Sequence, residues 1–306
     1  MKGLFTFFLF LFVSTLSAQV PTQETVGKKV ITLSEVILDK KLNVEKFIST
    51  IQEDSSFYKA FKNLRQVGYD ASNDIRMRNK KGDNLAALQS KTRQLRQGGC
   101  RTMQVIEEQV QGDFYDSNGE YNYYTAAMYA SLFFTKGKIC GESNIIGNEQ
   151  LSTSDKKGME KHKEQLKMLF FNPGRKIKGL PFMSGKTAIY DDDIADEYDM
   201  EIDFENLNGK ACYVFTQTAK PKAKGKVVVD KMKTWFDETT MDVVARNYSL
   251  SYNAVFYDFK VDMEVQIKNI DGVNLPYLIR YNGDWKAVTK KRERGIFTAT
   301  LYNFLL

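Results

Sequence analysis

Val261-Asp262-Met263-Glu264-Val265-Gln266-Ile267-Lys268 alternates apolar and polar residues without a break, and Asn269-Ile270-Asp271-Gly272 ends the run. A period of two puts Val261, Met263, Val265 and Ile267 on one face of an extended strand and their charged or amide neighbours on the other. Asp-Gly supplies the positive φ that a type I′ hairpin turn needs, so the chain is expected to reverse at Asp271-Gly272. The same pattern recurs on both sides. Upstream, Met200, Ile202 and Phe204 alternate with Glu201 and Asp203, and Asn208-Gly209 leads back through Cys212-Tyr213-Val214-Phe215. Downstream, Leu275-Pro276-Tyr277-Leu278-Ile279-Arg280-Tyr281 runs to Asn282-Gly283, read as a third turn, and residues 296–302 give a last strand. The chain from Tyr198 to Phe304 therefore reads as an antiparallel meander.

A length of 306 residues with 42% apolar content suffices for a large core, in one β-rich domain or two. The formal charge of +6, from 44 basic and 38 acidic residues, is too mild to name a polyanionic partner. Met1-Lys2, the apolar run from Leu4 to Val13 and the small residues before Ala18 have the three-part pattern of a secretory signal peptide. Cleavage is expected between Ala18 and Gln19, because the apolar run falls short of the ~20 residues a membrane span requires. No cysteine lies near that point, so no lipoprotein-type anchor is expected. The expected address is the periplasm or cell envelope, with the mature chain soluble or in peripheral membrane contact.

Asn43 reads as the N-cap of a helix carrying Val44, Phe47, Ile48 and Ile51 on one face, and Asp54-Ser55-Ser56 as the start of a second with Phe57, Ala60, Phe61 and Leu64. Residues 30–38 read as a strand, 69–96 as two strands around Lys80-Lys81-Gly82-Asp83, and 100–111 as another. The aromatic run from Tyr121 to Phe134 fits helix or strand, with helix favoured, and a further helix is expected from Ser154 to Phe171. The division is residues 1–18 as leader, 19–180 as a helix-and-strand part and 181–306 as the meander, the two parts being able to share one sheet.

The chemistry that can be excluded is extensive. His162 is the only histidine, so no multi-histidine metal site and no H-E-x-x-H hydrolase exists. Gly179 to Thr187 imitates a phosphate loop but has five residues between the glycines where four are required, and offers no helix to follow. Asp191 to Glu197 lacks the spacing of a calcium loop and reads as a solvated acidic linker. No catalytic pair stands out, and neither metal nor cofactor is expected. Cys100 and Cys140 flank glycine-containing loops and are a candidate disulfide, while Cys212 inside a strand reads as a small core residue. Lysine clusters at 220–233 and 286–294 read as solubility and edge protection, with anionic lipid or polysaccharide as the alternative partner. Nucleic acid is disfavoured by compartment.

Gly209-Lys210-Ala211-Cys212-Tyr213-Val214-Phe215, the stretch Thr234-Trp235-Phe236-Asp237 and the late Gly272-Val273-Asn274-Leu275-Pro276 follow one another in an order that resembles the periplasmic lipoprotein-carrier family (LolA-like, with LolB and RseB as relatives). The resemblance covers about residues 198–281, and no functional residue transfers position by position. It implies an α+β fold, a large curved antiparallel half-barrel sheet with covering helices that shelter acyl chains. On that reading Met200, Ile202, Phe204 and Trp235 are expected to line a cavity for a lipid or lipoprotein, and the protein is a non-enzymatic carrier. The alternatives are an envelope interaction protein with the same faces packed solid and, last, a carboxylate hydrolase.

Overall fold

The computed structural model describes residues 22–146, 167–177, 183, 185–253, 257–287 and 290–306. The expected signal peptide with its Ala18/Gln19 cleavage point, His162 and most of the helix expected from Ser154 lie outside the described residues. Residues 167–171 are helical.

The meander forms seven consecutive strands: β7 (Tyr198–Leu207), β8 (Lys210–Ala219), β9 (Val229–Asp237), β10 (Val243–Asn253), β11 (Tyr257–Ile270), β12 (Val273–Ala287) and β13 (Glu293–Leu305). Each pairs antiparallel with the next. Two of the expected turns are there. Asn208 and Gly209 have φ of 53° and 86°, and Asp271 and Gly272 have 46° and 84°, the left-handed pair that a two-residue hairpin demands.

The third is not a turn. Asn282 and Gly283 lie inside β12, with Gly283 opposite both Val261 and Gly295. The glycine is there for space: the Tyr281 ring folds over it, and ring carbon Cε1 would stand 2.6 Å from a Cβ at position 283. Trp285 Nε1 donates to the Tyr281 hydroxyl and holds the ring in place. Pro276, which cannot donate to a ladder, sits at the β-bulge where the β11–β12 register shifts.

The first part of the chain extends the same sheet at both ends. β1 (Thr22–Val26) and β2 (Lys29–Leu33) form a hairpin whose second strand runs parallel to β7, Ile31 facing Met200. β3 (Gly68–Arg78) pairs with β13, and β4 (Asn84–Gln97), β5 (Cys100–Gln111) and the short β6 (Ile139–Cys140) follow outward. The result is one open, curved, mostly antiparallel sheet of 13 strands in the order β1-β2-β7-β8-β9-β10-β11-β12-β13-β3-β4-β5-β6. The strand expected over 30–38 ends at Leu33, because Ser34 gives its N–H to Ile202 (3.1 Å) and α1 (Glu35–Lys40) begins at once.

α2 (Val44–Glu53) is capped as expected, with Asn43 Oδ1 accepting from the Lys46 N–H at 2.8 Å. At the next break the Asp54 carboxylate accepts from the Ser56 N–H (3.0 Å) to open α3 (Ser56–Leu64). With α4 (Tyr124–Phe133) these helices cover one face of the sheet, and their aromatic residues interlock with it. Phe47 meets Phe236 at 5.8 Å and Tyr129 meets Tyr281 at 4.5 Å between ring centroids, while Phe61 meets Phe171 of the helical segment 167–171 at 4.8 Å. Edge and tilted contacts of this kind add to the area term of core burial. The acidic stretch is a 3-10 turn (Asp192–Glu197) whose Asp192 is ion-paired with Lys29.

Candidate ligand-binding cleft

The four residues expected to line a cavity do not share one. Met200 and Ile202 are buried in the main core on the helix-bearing face. Phe204 is half-buried beside Tyr213, with the Lys40 ammonium 3.7 Å over its ring. Trp235 points the other way, into a small outer-face cluster with Cys212, Val214 and Ala245, and donates to Glu205 (2.8 Å). The parity of β9 explains it. Met232 and Phe236 enter the main core, so the odd position 235 faces out.

Open volume on the helix-bearing face lies instead at the far side of the sheet, between β4, β5 and α4. A cleft of ≈ 740 Å³ there is walled by Met103, Val105, Tyr115, Tyr121, Ala127 and Phe134. It exists because the side chains over it are small: Ser90 and Thr92 on β4, and Ala127, Ala130 and Ser131 on α4. Buried Asn73 donates to both Ser90 (3.3 Å) and Thr92 (3.2 Å), which satisfies the polar floor. On β5, Val105, which lines the cleft, is 59% exposed. Thr135 and the exposed charges Glu108, Glu120 and Lys136 complete the lining, Lys136 pairing with Glu120 at 3.4 Å. A volume of several hundred Å³ that combines apolar side chains with polar groups is the usual form of a small-ligand site.

At one end of the cleft, Tyr115 and Tyr121 tilt against each other (5.2 Å) over Phe114, and the Tyr115 hydroxyl donates to Glu108 (3.3 Å). Burial pushes both phenols up, with Glu108 adding to the effect, so they stay neutral hydrogen-bonding groups at physiological pH.

α4 is fixed at both ends. At its N-terminus the Glu293 carboxylate from β13 accepts from the Tyr124 N–H (3.0 Å), the Thr125 N–H (2.8 Å) and the Thr125 hydroxyl (2.6 Å). This places a negative charge where the helix dipole is positive and satisfies donors that α4's own N-cap leaves open. Beyond its C-terminus the Thr135 hydroxyl donates to buried Gln94 (3.2 Å) and accepts from Arg101, which is paired with Glu142. Cys100 and Cys140 are joined by a disulfide (S–S 2.05 Å) that ties β5 to the segment following α4. Cys212 is free and buried. Among the described residues no three His, Cys, Asp or Glu side chains converge on a metal position.

No protein-family model matches the chain, and a comparison with curated proteins finds no match. Solved structures similar in overall course include the following three. A domain from Vibrio parahaemolyticus, named for outer membrane lipoprotein sorting, is 13% identical over 86% of this chain and 92% of its own, with a TM-score of 0.30. A DUF1329 family protein from Desulfovibrio piger is 14% identical over 82% and 91%, at 0.25. A LolA superfamily protein from Nitrosomonas europaea is 10% identical over 82% and 92%, at 0.24. Scores of this size mark a loose likeness. The function proposed for the chain rests on its own cleft.

Proposed function

We propose that this is an exported envelope protein whose cleft under α4 binds the apolar part of a lipid or lipoprotein, acting as a carrier and not as an enzyme. The cleft between β4–β5 and α4 carries this reading, with Met103, Val105, Ala127 and Phe134 on its walls, neutral phenols at one end and the charges Glu108, Glu120 and Lys136 at its exposed margin. The core around Met200 and Ile202 is packed, so a ligand cannot enter there without unfolding it. The signal-peptide pattern before Ala18 supports the envelope address.

Titration with a fluorescent fatty acid tests it. Ala127→Trp fills the cleft from the α4 side and is expected to abolish uptake, whereas Trp235→Phe on the opposite face is expected to leave uptake unchanged. Equal uptake by the wild type and Ala127→Trp would refute the assignment of the cleft.

A further inference from the structure

Because neighbouring strands reverse, the end of the sheet where β3 finishes also receives the start of β4, the finish of β12 and the start of β13. Arg78 faces both Arg294 and Asn84, and Glu293 faces Trp285. Two basic segments far apart in sequence thus become adjacent. The β3–β4 hairpin presents Lys80 and Lys81, the last residues of β12 present Lys286, and Lys290 and Lys291 precede β13. All five are exposed and have no ion-pair partner among the described residues.

The carboxylates nearby are engaged elsewhere. Asp258 and Asp284 hold Arg292, Asp284 also takes Arg294 (2.9 Å), and Glu293 caps α4. Asp262 accepts from Ser249 (2.6 Å), and Asp83 from the Asn79 amide (3.0 Å). Beside the two segments a depression of ≈ 410 Å³ is lined by Arg78, Lys80, Lys81, Lys260 and Arg294, with Asp262 and Asp284. Arg78 Nε is buried there without a hydrogen-bond partner among the described residues. A buried guanidinium N–H without an acceptor is costly, and an anionic oxygen would relieve it.

The tyrosine end of the cleft lies toward the same end of the sheet, on the face opposite the depression. β5 runs to Gln111, which faces Ala87 close to the hairpin, and the Tyr115–Tyr121 end of the cleft follows directly. α4 begins there on Glu293.

We infer that this basic end docks the protein onto an anionic lipid bilayer, with a headgroup phosphate against Arg78 and the tyrosine end of the cleft turned to the lipid. The inference rests on the lipid-binding reading of the cleft for its purpose, but its charge argument stands separately. Clustered lysines gain attraction to an anionic membrane roughly in proportion to their number, and salt screens it within about 8 Å at physiological ionic strength.

Co-sedimentation of the full chain with phosphatidylcholine vesicles, with and without phosphatidylglycerol, tests it. Binding is expected only with phosphatidylglycerol, to fall steeply with added sodium chloride, and to survive millimolar inorganic phosphate. Lys80→Glu/Lys81→Glu and Lys290→Glu/Lys291→Glu should each weaken it by roughly thirtyfold or more, while Lys41→Glu/Lys210→Glu at the opposite end leaves it unchanged. All variants should still take up the fluorescent fatty acid, which also shows that they are folded. Ala127→Trp should keep vesicle binding, so the two readings fail separately. Binding that ignores phosphatidylglycerol, is equally weakened by the Lys41/Lys210 pair, or is displaced by inorganic phosphate overturns the membrane inference.

Discussion

Gly283 shows how one residue type serves two purposes in this chain. Asn-Gly at 208–209 bends the backbone through positive φ; Asn-Gly at 282–283 continues a strand, with its missing side chain filled by the Tyr281 ring. The dipeptide was legible and its use was not, because what settles it is a tyrosine two residues earlier folding back over a buried face. Gly283→Ala is therefore expected to act as overpacking, costing about 1–3 kcal/mol in urea unfolding. A neutral effect would mean that Tyr281 swings away without loss. Trp235 makes the complementary point: its place in a strand was readable, but its face depended on the parity of a strand whose neighbours were unknown.

Among the elements, α4 differs most from what its sequence announces. Its run of Tyr, Ala, Met and Phe has no polar face, so nothing in the pattern shows which side meets the sheet and which side leaves a cleft. The cleft comes from small residues on β4 and α4, which lie more than thirty positions apart, and small residues carry no pattern of their own. The meander was legible because hairpins are local; the β13–β3 pairing joins the end of the chain to its beginning and was not. Glu293 is the element's anchor. Glu293→Gln should lower hydrogen-exchange protection across residues 124–133 and cost about 1 kcal/mol of global stability. Unchanged protection would remove Glu293 from the account. Replacing both Cys100 and Cys140 by serine should cost about 2–4 kcal/mol by freeing the 40-residue loop.

For the whole molecule, burial of aromatic residues sets a pH limit. Tyr69, Tyr198, Tyr248 and Tyr281 all have phenols pushed up by burial. A phenol whose pKa is higher in the folded state stabilises the fold fully below its unfolded value, near 10, and that contribution is lost as pH rises above it. Absorbance of tyrosinate near 295 nm should therefore lag behind that of the denatured chain above pH ~10 and then rise together with cooperative unfolding. Titration of all tyrosines near pH ~10 with the fold intact would contradict the burial described.

Among the described residues, a sheet whose core is packed along most of its length keeps an open cleft between β4, β5 and α4, the proposed seat of an apolar chain. Photolabelling with a fatty acid carrying a diazirine on its acyl chain, followed by peptide mapping, tests it most directly. Labels are predicted on Met103–Val105 and on residues 127–134, and should disappear in Ala127→Trp. Labels on Met200–Phe204, or on Trp235, or spread evenly over the surface, would contradict it.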